Sequence, residues 1–214
     1  YAALRTDTAF IDTLDALLTD SQKKMDVLRI DCQKSGQAAG RFIGTSANIG
    51  FAAMELVKIH PWLKRLLGAK IVYYFSVVLG LLRYRPPEME ITWEEGTFKG
   101  KIWTVLVANA EWAGGGGMRI APGARIDDGR MMVTIIPALP LLSLLWKLPL
   151  LATGKHLDDP RLIYFATKAV SVASRPEAIV EIDGEGFGQT PAQLQVAPAM
   201  LRVFCKEKSE KTTI

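Results

Sequence analysis

Apolar and polar positions along this chain change period several times, and each change marks an element. Thr8–Thr19 carries Phe10, Ile11, Leu14, Leu17 and Leu18 at the spacing that gathers apolar groups on one helix face. Asp7 or Thr8 can cap its first turn. Between Met25 and Cys32 the period falls to two, with Met25, Val27 and Leu28, Ile30 and Cys32 reading as a strand. Lys34-Ser35-Gly36-Gln37 reads as a hairpin turn, and Arg41–Ala47 as a second strand. Asn48-Ile49-Gly50-Phe51 breaks that strand and leads into a helical stretch over 52–82. Its first part mixes Lys58, His60, Lys64, Arg65 and Lys70 with Trp62, Leu63, Leu66 and Leu67. Its second part, Ile71–Leu82, is apolar nearly all round and stops at Arg83-Tyr84-Arg85-Pro86-Pro87.

Beyond the prolines the pattern is mostly β. Met89–Trp93 and Phe98–Ala108 form a hairpin across Glu94–Thr97, and Met131–Ile136 is a β-branched strand. Ala138–Leu151 is rich in leucine and reads as a short helix on the core or as an apolar lip for acyl chains. Asp158-Asp159-Pro160 opens a predicted short helix over Pro160–Lys168, with acids where the helix dipole favours them. Lys168–Ser174, Ala178–Asp183, Gln193–Ala197 and Met200–Cys205 are the remaining strands. About nine hairpin-linked strands with helices in two blocks predict an α+β fold: a mainly antiparallel β-sandwich-like domain with helical insertions. Residues 1–205 form that domain and 206–214 a polar tail. No βαβ unit for a nucleotide is expected.

Composition narrows the picture. A chain of 214 residues with 49% hydrophobic and 22% charged content is ordered and globular. A net charge of +4 is too small and too scattered for nucleic acid, but suits phosphates or an anionic membrane surface. Cys32 and Cys205 are expected as buried reduced thiols, so the expected compartment is cytoplasmic. No Cys/His cluster has zinc spacing, and no Gly-x-Ser-x-Gly elbow accompanies His60 or His156. No uncharged apolar run reaches the roughly 18 residues of a membrane span.

Three loops can carry chemistry. Gly114–Gly117 could cradle phosphate, but it lacks the Lys-Ser/Thr of a P-loop and is better read as a turn. Asp127-Asp128-Gly129 could hold a hard cation with the help of turn carbonyls, or be a plain turn. Ile182–Pro191, IDGEGFGQTP, ends a strand at Gly184 and sets Glu185 at its mouth. Gly186 and Gly188 are expected to free the backbone to turn, and Pro191 to close the loop. A carboxylate so held is either a general base or cation ligand, or an acidic surface turn.

The order of these stretches resembles the C-terminal half of the diacylglycerol kinase catalytic family, which includes bacterial lipid kinases and the sphingosine and ceramide kinases. The resemblance rests on Ala121-Pro122 with Ile126-Asp127-Asp128-Gly129, then Asp159–Tyr164, then Ile182–Glu185 with Pro191. Met25–Ile30 is similar to the family's strand with a central Asp, Arg41–Phe51 to its Phe-x-Asn to Gly-Phe stretch, and Tyr1–Leu4 to the segment after its Gly-Thr-x-Asn-Asp box.

The resemblance implies a lipid kinase that moves the γ-phosphate of ATP to the hydroxyl of a lipid such as a diacylglycerol or sphingoid base. The family's nucleotide loop, Gly-Gly-Asp-Gly-Thr, does not occur in the sequence, so ATP would reach it through an N-terminal domain outside this chain. Glu185 would be the proton acceptor, with Asp183 beside it in the catalytic turn. A structural Mg²⁺ would be held by the Asp128 carboxylate and the main-chain oxygens of Arg125 and Arg130. The two guanidinium groups would have to point away, and Asp127 could add charge. The implied protein is cytoplasmic and peripheral at the membrane, and an exposed sheet edge could pair in a homodimer. A non-catalytic lipid-binding or membrane-docking module of the same fold is the alternative. A soluble NAD-kinase-like enzyme would have no use for the Leu/Trp-rich segments.

Overall fold

Alternating strands bury one face, and here they close around that face in an antiparallel sandwich. The computed structural model describes Leu18 and residues 22–53, 78–113 and 117–204. Its strands are β1 (Gln22–Lys34), β2 (Gln37–Ile43), β3 (Ser46–Gly50), β4 (Glu88–Trp93), β5 (Gly96–Ala108), β6 (Trp112–Ala113), β7 (Met118–Arg119), β8 (Met131–Pro137), β9 (Ile163–Thr167), β10 (Ala169–Arg175), β11 (Ile179–Ile182) and β12 (Glu185–Phe204). One helix, α1 (Leu141–Lys147), and 3₁₀ turns at Pro149–Ala152 and Lys155–Asp158 lie between β8 and β9.

The main sheet runs β10-β4-β5-β3-β11-β12-β1-β2, with β8 on β5, β9 on β8, and β10 also on β12. Every pairing is antiparallel. Two long strands belong to both layers of the sandwich. β12 pairs with β11 through Glu185–Gln189 and with β10 through Ala192–Gln195. β5 pairs with β4 over Gly96–Lys101 and with β3 over Thr104–Ala108. Strands that cross from one layer to the other make the corners of such a sandwich.

Leu28, Ile30, Ile43, Ile49, Val105, Val107, Val133, Ile135, Val180, Ile182 and Leu194 fill the space between the layers. Each such side chain contributes roughly 1.5–3 kcal/mol of burial. A smaller cluster of Phe51, Leu81, Trp103 and Leu144 anchors α1. Phe51 meets Trp103 and Tyr84 edge-on, at 6.0 and 5.5 Å between ring centroids. Cys32 is buried with a free thiol, and Cys205 lies outside the described residues, as do most of the predicted helices at Thr8–Thr19 and 52–82.

Four expectations change. The predicted strand Arg41–Ala47 is cut at Gly44-Thr45, and Asn48-Ile49-Gly50 belongs to β3 rather than breaking a strand. Pro160–Lys168 is no helix. Asp159 accepts the Arg161 N–H at 2.9 Å to close a tight turn, and Ile163–Thr167 pairs with β8. The segment after Gly184 is no loop, for Glu185 through Phe204 is one strand with register shifts opposite β1. Twelve strands, not about nine, form among the described residues, because short pairs such as β6 and β7 carry too few residues to show a period.

Candidate functional site

The half-sheet β11-β3-β5-β8 is covered on both faces, and its alternation sorts residues between them. Ala47, Ile49, Val105, Val107, Val133, Ile135, Val180 and Ile182 point into the core. Ser46, Asn48, Thr104, Leu106, Thr134, Ile136, Glu181 and Asp183 alternate with them and line a cavity of about 420 Å³ on the other face. Its remaining wall comes from Phe51, Leu81 and Trp103 and from the leucines of the α1 region, with Met118, Ile120, Lys147, His156 and Leu162. This size falls in the range of small-molecule sites, which run roughly 300–1,000 Å³ and are mostly apolar with a few polar groups.

The polar groups at its mouth belong to the turn between β11 and β12. Gly184 takes φ = 94°, and Asp183 before it φ = 48°, left-handed values that only the turn requires. Asp183 is exposed, yet its carboxylate is fully engaged. It accepts the N–H groups of Gly44 and Thr45 at 2.9 Å, of Ser46 at 3.1 Å, and the Thr45 hydroxyl at 2.5 Å. Burial opposes its ionisation, but these four donors outweigh that and lower its pKa. Glu181 is buried, accepts from the Asn48 amide and the Gly184 N–H, and has its pKa raised chiefly by that burial. Glu185, one residue past the cavity wall, is exposed and lies 3.5 Å from Arg41.

The second predicted motif sits in the loop before β8. Asp128 is exposed and accepts the Arg130 N–H at 3.0 Å. Asp127 is taken up by Lys23 at 2.8 Å and Arg125 at 3.4 Å, which lower its pKa, so it adds no free charge for a cation. Buried Asp26 staples the loop: its carboxylate accepts from Gly129 N–H and Ala199 N–H, each at 2.7 Å. The donor set for a hard cation is thus one carboxylate, Asp128, with loop carbonyls, and it fits a weak oxygen site. Among the described residues no group of three or more His, Cys, Asp or Glu could hold a metal.

A hydrogen-bond chain joins the two motifs. The side-chain amide of buried Asn109 donates to the carbonyls of Asp26 at 2.8 Å and Gly44 at 3.2 Å, and the Gly44 N–H donates to Asp183. The structure therefore brings Asp183 and the Asp128 loop to one end of the sandwich, through residues that sequence reasoning did not single out.

The roof of the cavity has its own clamp. Asp159 holds Lys147 of α1 at 2.5 Å and the Arg161 guanidinium at 2.6 Å, and Arg161 reaches the Ser143 hydroxyl at 2.7 Å. These partners, Arg161 first, hold the Asp159 carboxyl well below the usual range. His156 packs beneath this roof.

Sequence reading singled out Glu185, Asp183, Asp128, Arg125 and Arg130 and missed Glu181, Asn48, Asn109, Asp26, Lys147 and His156. Glu181 had a visible signal: it is the one charged residue inside the apolar run Ile179-Val180-Glu181-Ile182.

An antiparallel sandwich, with an apolar cavity and an acidic turn at its mouth, is the class that this architecture defines. Residues 48–205 match the family profile described as the YegS C-terminal NAD kinase beta sandwich-like domain, and the chain belongs to that family, the C-terminal domain of the diacylglycerol kinase catalytic family. Among curated relatives, "Diacylglycerol kinase" of Staphylococcus carnosus is 23% identical over 212 residues, 99% of this chain and 66% of that protein. "Diacylglycerol kinase" of Bacillus subtilis is 27% identical over 177 residues, 82% of this chain and 58% of that protein. The crystal structure of a diacylglycerol kinase from Bacillus anthracis matches 90% of this chain and 57% of its own, with a TM-score of 0.57 at 15% identity. That likeness shows the fold.

Proposed function

We propose that this chain is the lipid-binding part of an ATP-dependent lipid kinase. The observation that carries the reading is an apolar cavity with the Asp183-Gly184-Glu185 turn at its mouth. The hydrocarbon part of a lipid alcohol would occupy the cavity, leaving its hydroxyl at the turn. Glu185 would take the hydroxyl proton as the oxygen attacks the γ-phosphorus, and ADP would leave. Arg41 of β2 pairs with Glu185 at 3.5 Å. Asp183 would not itself accept a proton. All its bonds go to the Gly44–Ser46 corner, so its part would be to position the turn. Asp128, with the carbonyls of Arg125 and Arg130, would hold a Mg²⁺ whose charge would stiffen the loop. ATP and its own metal would be bound by a domain outside this chain.

The reading is tested with the full-length protein that carries this chain. Glu185→Gln is expected to lower kcat for phosphorylation of a lipid alcohol by roughly 10²–10⁴-fold, with lipid affinity unchanged. Unaltered turnover would remove Glu185 as the base. Undetectable ATP consumption by the unaltered protein, with lipid still bound, would favour a non-catalytic lipid-binding module. Exposed Leu142 and Trp146 on α1 support membrane contact under either reading.

A further inference from the structure

We propose that the Asn48–Glu181 pair on the cavity floor reads a protonated amine on the bound lipid, and so selects a long-chain amino alcohol over a neutral lipid alcohol. The inference rests on the lipid reading of the cavity and names the substrate class.

Glu181, Asn48, Leu106 and Thr134 stand opposite one another on β11, β3, β5 and β8, and so form one rung across the cavity floor. Glu181 is buried, and both groups that meet its carboxyl are donors: the Asn48 amide at Oε2 and the Gly184 N–H at Oε1. A carboxylate only accepts. Its contact therefore fixes the Asn48 amide with the nitrogen toward Glu181 and the oxygen Oδ1 turned away. Asn48 is half-buried and lines the cavity, and among the described residues no donor meets its Oδ1. The floor thus offers a ligand an acceptor oxygen, with a buried carboxylate one hydrogen bond behind it. Glu181 acts through Asn48, because its own carboxyl is covered.

The charges around this rung are one-sided. Among the described residues neither Glu181 nor Asp183 has an ion-pair partner. Lys147 lines the cavity but is held by Asp159 at 2.5 Å, and Arg41 is paired with Glu185. Burial pushes the Glu181 pKa up, and the Asp183 charge adds to it. What the rung lacks is a cation. A ligand ammonium brings N–H donors for Oδ1 and a positive charge for the carboxylate behind it. A neutral alcohol brings no charge, and an ester carbonyl would set one acceptor against another. The rung lies two residues inside the Asp183 turn, about 7 Å along the strand. An amine within the first few carbons of the hydroxyl would reach it while the hydroxyl stays at the turn.

Full-length protein is titrated, without ATP, with four lipids of one chain length: 2-aminooctadecan-1-ol, its N-acetyl form, octadecane-1,2-diol and octadecan-1-ol. Dioctanoylglycerol is the fifth ligand. The amine is expected to bind at least tenfold tighter than the diol, about 1.4 kcal/mol. Its N-acetyl form, which keeps an N–H but not the charge, should fall between them. In Glu181→Gln the Gly184 N–H holds the new side-chain oxygen, so its amide nitrogen faces Asn48. The Asn48 amide must then turn and present N–H groups to the cavity, and the preference for the amine should fall to within about twofold. Glu181→Asp, which keeps the charge, should retain part of it. Equal binding of amine and diol, equal binding of the amine and its N-acetyl form, or a preference unchanged in Glu181→Gln overturns the inference. If Glu181→Gln fails to fold, the comparison of the amine with its N-acetyl form in the unaltered protein still decides. Binding of dioctanoylglycerol with no preference for the amine leaves the lipid reading standing and removes the amine reader alone. Absence of binding by all five lipids removes the lipid reading of the cavity, and the reader with it.

Discussion

Glu181 on β11 and Asp183 in the turn after it are two residues apart and titrate in opposite directions. Glu181 is buried with two donors, and burial dominates, so its pKa is raised. Asp183 has four donors, and they dominate, so its pKa is lowered. Below about pH 4.3 Glu181 is protonated in the folded and unfolded chain alike and costs nothing. As pH rises past that value the unfolded chain loses the proton first, so folding becomes less favourable. Glu181→Gln removes this cost once the Asn48 amide turns to face the new side chain. Its melting temperature relative to the unaltered protein is expected to be higher at pH 8 than at pH 4, and an equal difference at both pH values would contradict the account. Asp183→Ala strands the donors of the Gly44–Ser46 corner, at roughly 1–2 kcal/mol after allowance for its solvent exposure. Urea unfolding measures it. Asp183 was visible in the sequence as an acid at a strand end, but its partners were not, because they lie some 138 residues away at Thr45.

At the scale of elements, the candidate site hangs on one hairpin and one clamp. β12 passes close over β1 at Gly188, where a Cβ would collide with the Gln33 carbonyl and come within 2.6 Å of the Cys32 sulfur. Backbone cannot yield as a side-chain tip does, so Gly188→Ala should cost about 2 kcal/mol in thermal unfolding. The α1 roof depends on Asp159, whose folded-state pKa is depressed. The stability it confers is complete above about pH 4 and is lost as pH falls toward the folded value. Urea midpoints from pH 7 down to pH 2 should therefore decline more steeply for the unaltered protein than for Asp159→Asn. Most strands were legible because period two is a local signal. Pro160–Lys168 misled because Asp-Asp-Pro opens helices, whereas here a buried clamp and the free edge of β8 decide. The glycines after Glu185 suggested a turn, and only the neighbouring β1 shows that Gly188 admits close strand passage.

At the scale of the molecule, the described residues contain no helix long and apolar enough to cross a membrane. Leu142 and Trp146 are nevertheless 71% and 77% exposed on the helix that roofs the cavity, and Leu82 at 63% adds to the exposed apolar side chains. Water-facing groups of this size fit an interfacial contact. Leu142→Glu with Trp146→Glu is expected to weaken sedimentation with anionic phospholipid vesicles at least tenfold, without lowering the melting temperature. Retained binding would place the membrane contact elsewhere. The antiparallel sandwich could be anticipated from alternation alone. The cavity could not, because a strand buried on both faces looks the same in sequence whether its second face meets protein or a ligand.

The half-sheet β11-β3-β5-β8 assigns alternate residues to two separate tasks. Val105, Val107, Val133 and Ile135 hold the layers together, while Thr104, Leu106, Thr134 and Ile136, their neighbours in the chain, face the cavity. The lining of the cavity can therefore change by single substitutions that leave the folding core untouched. A chain with this sandwich is free to alter what the cavity admits without altering the fold that presents it.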